Sequence, residues 1–270
     1  MNSEQINTKK SRPTIVSDGA CVELGNDLVL DDVTFSIDQG KKVAVVGPNG
    51  GGKSTLFNAI VGLLPLANGS IKIDGKNPQE AKSLISYVPQ KDFMNRSFPI
   101  TVNQVVGMGL VDKNTFFNSN NRESKNKIST SLESVGLLDQ IDTNINNLSG
   151  GQFQRVLIAR ALTQNAQIIL LDEAFSAVDV GAQEDIMNII NKNDLDSKTV
   201  LIATHDINNL EERFDEVLCL NRHCCAYGKP SEVLTEKVIE EMYGSHSAMF
   251  KNHTLNSHGE TNDWSYPWAF

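Results

Sequence analysis

The nine residues GPNGGGKST, Gly47 to Thr55, constrain this chain more than any other stretch. They satisfy G-x-x-x-x-G-K-[ST], follow the apolar run KVAVVG (42–47), and open the helical pattern KSTLFNAIVG, whose end Gly62 marks as a C-terminal cap. Gly47, Gly50, Gly51 and Gly52 let the backbone wrap phosphate groups without Cβ clashes, with Pro48 and Asn49 completing the loop. The N-terminus of the following helix adds its positive dipole end. Lys53 is placed to neutralise β- and γ-phosphate oxygens, and the Ser54 hydroxyl, next to Thr55, to ligate Mg²⁺. A bare glycine-rich turn would account for the glycines but not for the Lys-Ser pair in this context.

A strand–loop–helix of this kind needs a buried parallel sheet around it, and the sequence supplies one. ISYVPQ (85–90), QIILLDE (167–173) and TVLIATHD (199–206) are continuous apolar runs with polar ends, as expected of strands covered on both faces. Helical patterns alternate with them, in GQFQRVLIARALTQ and AQEDIMNIINK. The fold class is therefore α/β with a mostly parallel sheet. ACVEL and the alternating DLVLDDVTFSI form an antiparallel N-terminal β-region. A helical lobe is expected over about 102–165, because VNQVVGMGL and KISTSLESVGLL are helical in pattern and no strand interrupts them. VLCL and CCAYG flank NRH as a hairpin, followed by a helix around 231–243. The main domain spans 15–244, between a polar, disordered start (1–14) and a polar tail (245–270).

Composition excludes several alternatives. A net charge of −9 and a pI near 5.1 argue against nucleic-acid binding, which depends on Lys and Arg replacing counterions at phosphates. No apolar run reaches the roughly 18–20 residues of a membrane span, and the start MNSEQINTKKSRP lacks a secretory core, so a cytoplasmic location is expected. Cys21, Cys219, Cys224 and Cys225 show neither a paired framework nor zinc-finger spacing. Cys224 and Cys225 would face opposite ways in a strand, so the cysteines read as small buried residues.

The second half of a nucleotide site is QIILLDE. Its strand end delivers Asp172 to the Mg²⁺ sphere and Glu173 to the attacking water as general base. Both halves of one site are then accounted for, and a second glycine loop, LSGGQ (148–152), has no phosphate left in its own subunit. It should serve the nucleotide of another copy.

GPNGGGKST, LSGGQ, LLDE and TH, in this order over about residues 15–243, resemble the nucleotide-binding subunit of an ATP-binding cassette (ABC) transporter, with its P-loop NTPase core and helical signature lobe. The resemblance implies ATP hydrolysis by a head-to-tail homodimer in the ATP-bound state. Each ATP would lie between the phosphate loop of one copy and Ser149, Gly151 and Gln152 of the other. It further implies that Gln90 contacts Mg²⁺ and the attacking water, that Asp179 links the opposing sites, and that His205 holds the γ-phosphate and the catalytic Glu173. Two positions depart from the family pattern. Leu24 stands where an aromatic residue usually stacks on adenine, and Ala174 where proline often follows the Asp-Glu pair.

The segments VPQKDFMNRSFPITVNQVVGMG (88–109) and LNRHCCAYGKPSEVLT (220–235) resemble importers of manganese, zinc or chelated iron. This implies integral membrane permease subunits as partners, an extracytoplasmic metal-binding protein acting indirectly, and a peripheral position on the inner membrane face. Manganese ranks first, then zinc, then iron. The alternative is a soluble ABC ATPase that drives assembly of a protein or cofactor complex without transport. Phe98 and Pro99 are expected to take part in coupling to the permease. No convincing ligand cluster is visible, and the tail histidines His246, His253 and His258 are too irregularly spaced for a metal sensor.

Overall fold

The computed structural model describes residues 13–90, 99–110, 122–173, 187–190, 197–207 and 209–244. Expectations for Ala174, Asp179, Phe98 and the tail histidines fall outside these residues.

The apolar runs become strands of one six-stranded sheet in the order β5-β6-β7-β3-β8-β9. These are β3 (Lys42–Val46), β5 (Ile85–Val88), β6 (Ile168–Asp172), β7 (Thr199–Thr204), β8 (Glu216–Asn221) and β9 (His223–Gly228). All neighbours pair in parallel except β8 and β9, which form the expected hairpin. The sheet separates two cores, and alternation along each strand feeds both. Ala44, Val46, Leu171 and Ile202 face one core, while Val43, Val45, Leu170 and Leu201 face the other. This double burial is why the sequence shows continuous apolar runs instead of alternation.

The first core is closed by helices α2 (Val102–Gly107), α3 (Arg122–Ser134) and α4 (Gly150–Gln164), through Val105, Leu132, Phe153 and Leu157. The second is closed by α1 (Lys53–Ile60) and by a three-stranded antiparallel sheet, β2-β1-β4. In that sheet β2 (Asp27–Asp38) turns Val33, Phe35 and Ile37 inward, as its alternation predicts. β1 (Pro13–Leu24) begins at Pro13, and the carbonyl of Thr14 accepts from the Asp74 amide.

Two local features differ from the sequence reading. β4 (Asn68–Ile73) has no expected counterpart, because only Ile71 and Ile73 carry its alternation, too short a period to stand out. The helix expected around 231–243 is two helices, Pro230–Val233 and Glu236–Tyr243. The Thr235 side chain accepts from the Val238 amide and so starts a new helix in mid-segment. Gly62, at φ 74, ends α1 as read from the sequence.

Candidate nucleotide site

The phosphate loop leaves the C-terminal end of β3, between β7 and β8, the edge at which open α/β sheets bind ligands. Its glycines are dictated by close packing. A Cβ on Gly47 would lie 1.9 Å from the Leu220 carbonyl oxygen. Gly52, at φ 94, turns the chain into α1 in a conformation that side-chain-bearing residues rarely adopt. The β8–β9 turn backs this loop, with the Arg222 amide donating to the Gly51 carbonyl at 2.8 Å.

Lys53 is buried and folds over the loop, its Nζ donating to the carbonyls of Gly47 and Pro48, each at 2.9 Å. Burial lowers its pKa, although the carboxylates of Glu173 and Asp172 pull it back up. Ser54 Oγ donates to Asp172 Oδ1 at 3.1 Å. The tip of β6 therefore reaches the start of α1, although the two residues are 118 positions apart.

Asp172 is 1% exposed, and its other oxygen accepts from the Tyr87 hydroxyl at 3.1 Å. Burial raises its pKa against the opposing pull of the two hydroxyls. A carboxylate this deep, beside a serine hydroxyl, is a hard oxygen donor set of the kind that suits Mg²⁺. Glu173 follows with a left-handed backbone, φ 46, which costs strain for a residue with a side chain and recurs at functional sites. Its carboxylate accepts from Gln90 Nε2 and lies 3.9 Å from Lys53 Nζ. Gln90, Lys53, Ser54, Asp172 and Glu173 are thus gathered at one sheet edge.

The other expected residues sit apart. His205 follows β7, beside β6 in the sheet, but its side chain is exposed, and its carbonyl accepts from the Tyr243 hydroxyl at 3.5 Å. Leu24 is 44% exposed at the tight β1–β2 turn. Ser149 is the N-cap of α4: its hydroxyl accepts from the Gln152 amide, and the Gln152 side chain accepts from the Ser149 amide. LSGGQ therefore contains a capping box, which satisfies those two amides within the chain.

Two positioning residues escaped the sequence reading. Tyr87 holds Asp172, and Arg160 of α4 donates to the Tyr87 carbonyl at 3.1 Å. Gln164 adds a second bond from α4 to β5, at the Ile85 carbonyl. The helix that starts at LSGGQ is in this way bolted to the strand beside Asp172. Neither residue belongs to a motif, so no pattern announced them. The cysteines are free thiols, of which Cys219 alone is fully buried, and partial burial pushes Cys224 up to about 11 and Cys225 up to about 12. Among the described residues, ligand atoms of His223, Cys225 and Glu241 lie within 4.8 Å of one another, a grouping the sequence pattern did not announce.

The family model described as ABC transporter matches residues 30–176. The manganese transport system ATP-binding protein MntB of Bacillus subtilis (strain 168) is 36% identical over 227 residues, 84% of this chain and 91% of that protein. The zinc transport system ATP-binding protein TroB of Treponema pallidum (strain Nichols) is 38% identical over 216 residues, 80% of this chain and 81% of that one. Among solved structures, MJ1267, an ATP-binding cassette of an ABC transporter, superposes with a TM-score of 0.75 at 25% identity, covering 87% of this chain and all of that one.

Proposed function

We propose a specific role for this chain, which belongs to the ABC transporter family: it is the ATP-hydrolysing subunit of an importer of a divalent transition metal, manganese first, zinc next and iron third. The observation that carries the cargo is the similarity to manganese and zinc system subunits over four fifths or more of the chain, well beyond the ATP motifs.

The chemistry follows from the gathered residues. Gly47 to Thr55 wrap the ATP phosphates, and Lys53 exchanges its two carbonyl partners for phosphate oxygens, a charge-assisted replacement. Ser54, Asp172 and Gln90 hold Mg²⁺, which when bound neutralises charge on the transferred phosphoryl group. Glu173 accepts the proton of the attacking water, with Gln90 holding its carboxylate in place. His205 supports the γ-phosphate once the site closes, and Leu24 packs on the base. Asp179 joins the two sites of the closed dimer.

Ser149, Gly151 and Gln152 complete the site of a second copy. The side chains of Ser149 and Gln152 already cap α4, so the loop presents backbone N–H groups and a helix dipole to an outside phosphate. ATP therefore holds two copies together, and ADP releases them. Among the described residues no helix is long and apolar enough to cross a membrane, so the pathway belongs to permease partners, on whose inner face the chain sits. Cargo selection then lies with the permease and an extracytoplasmic binding protein.

The test is metal accumulation in a strain lacking this chain. Manganese uptake should fall most and return with the wild-type gene but not with Glu173→Gln. Normal accumulation of manganese, zinc and iron, with no redundant importer present, would rule the assignment out and favour an assembly ATPase.

A further inference from the structure

β9 contains an irregularity that the hairpin alone does not require. Leu220 pairs with Cys224 and Cys219 with Ala226, which leaves Cys225 as the extra residue of a bulge. The bulge turns the consecutive residues Cys225 and Ala226 toward the same core. Here Cys225 packs toward the core closed by the helical lobe, and Cys224 toward the opposite one. Cys225, two residues from His223 and so on the same face of the strand, places its Sγ 3.6 Å from His223 Nε2. The final helix, Glu236–Tyr243, brings Glu241 to the same spot, with its Oε1 2.9 Å from His223 Nε2. The helix is anchored beside it by the buried Asn221 side chain, which donates to the Met242 carbonyl at 2.6 Å.

We propose that His223, Cys225 and Glu241 form a binding site for one zinc-class divalent cation, separate from the Mg²⁺ site. Their ligand atoms all lie within 4.8 Å of one another, on side chains that are neither fully buried nor fully exposed. Zinc bonds of about 2.05 Å to nitrogen and 2.3 Å to sulfur, at a tetrahedral angle, separate the two ligand atoms by about 3.5 Å. The Sγ to Nε2 distance of 3.6 Å already matches this. Nitrogen and carboxylate oxygen on one zinc stand about 3.4 Å apart, so Glu241 retreats by about half an ångström from its present 2.9 Å contact, within the reach of a surface carboxylate. A water completes the tetrahedron.

A histidine–glutamate hydrogen bond would account for two of these residues, but not for the thiol that lies beside them. Thiolate, imidazole and carboxylate together favour zinc over manganese, which binds such sites more weakly. The cation would therefore not be a stray copy of a manganese cargo, and the site stands whichever metal is transported. Its place has a consequence for the nucleotide. The hairpin turn that precedes His223 is bonded to the phosphate loop through Arg222 and Gly51, so a cation here ties the final helix to the backing of that loop.

The test uses the full chain, stripped of metal and free of nucleotide, titrated with Co²⁺ and then competed with Zn²⁺. One equivalent should produce a thiolate-to-cobalt charge-transfer band that zinc abolishes and manganese displaces at least about 100-fold less well. Cys225→Ser should eliminate the band, and His223→Ala and Glu241→Gln should each weaken zinc binding by about tenfold or more. Cys224→Ser, on the other face of the strand, should leave band and affinity intact. The wild-type spectrum requires no substitution, and thermal unfolding establishes that the variants are folded. Absence of the band in the wild type, or zinc affinity unchanged in Cys225→Ser, would overturn the site.

Discussion

The two glycine loops of this chain look alike in sequence and are finished to different degrees. The phosphate loop is closed upon itself: Lys53 is buried on its own carbonyls, Ser54 meets Asp172, and the loop is backed by β8. LSGGQ meets its needs locally, in a capping box, with Ser149 exposed. The first loop is packed against distant parts of its own chain, while the second is a helix start whose Ser149 and Gln152 amides are met by its own side chains. The difference teaches that a glycine pair does not define a binding site. What surrounds it decides whether the site is complete in one copy.

The largest expected effect comes from Glu173, the carboxylate beside Lys53 and Gln90. Glu173→Gln keeps the Gln90 contact region but removes the proposed base, so hydrolysis should fall on the order of 10²- to 10⁴-fold in a steady-state ATPase assay. ATP should remain bound, and a nucleotide-dependent dimer should appear on size-exclusion chromatography. A fully active, monomeric variant would break the comparison at its root.

A pair of substitutions separates the loops. Lys53→Ala should weaken ATP binding to the isolated chain by roughly 10- to 100-fold, the 1.5–3 kcal/mol of a charge-assisted contact. Gly151→Asp should leave that affinity unchanged, since an aspartate in the first turn suits α4, while abolishing the ATP-dependent dimer by repelling the partner's phosphate. Calorimetry on both variants checks the split, and equal losses of affinity would erase the distinction drawn above.

The smallest effect is at Leu24, exposed at the β1–β2 turn. Leu24→Tyr should tighten ATP by up to about tenfold through ring stacking on the base. Unchanged calorimetric affinity would place the base elsewhere.

The same contrast governs what could be read before any coordinates. The phosphate loop, the Asp-Glu strand end and the parallel sheet were legible because each is a contiguous pattern enforced by local geometry, as Gly47 under Leu220 illustrates. Tyr87 and Arg160 were not, because their roles arise from β5, β6 and α4 meeting in space. Likewise His223 and Cys225 share a strand face in plain view, but Glu241 joins them only through a helix that returns more than a dozen residues later. β4 was missed for the opposite reason, having too few alternating residues to form a signal.

The central claim, that each ATP site is completed by a second copy, is tested most directly by mixing Lys53→Ala with Gly151→Asp. Each variant alone spoils both composite sites of its homodimer. A mixed dimer has one site with neither substitution and one with both. Mixing equal amounts should restore hydrolysis well above either variant alone, to at most about half the wild-type rate, since each mixed dimer carries one intact site of two. No recovery above the separate variants, with mixed dimers demonstrably formed, would contradict the account.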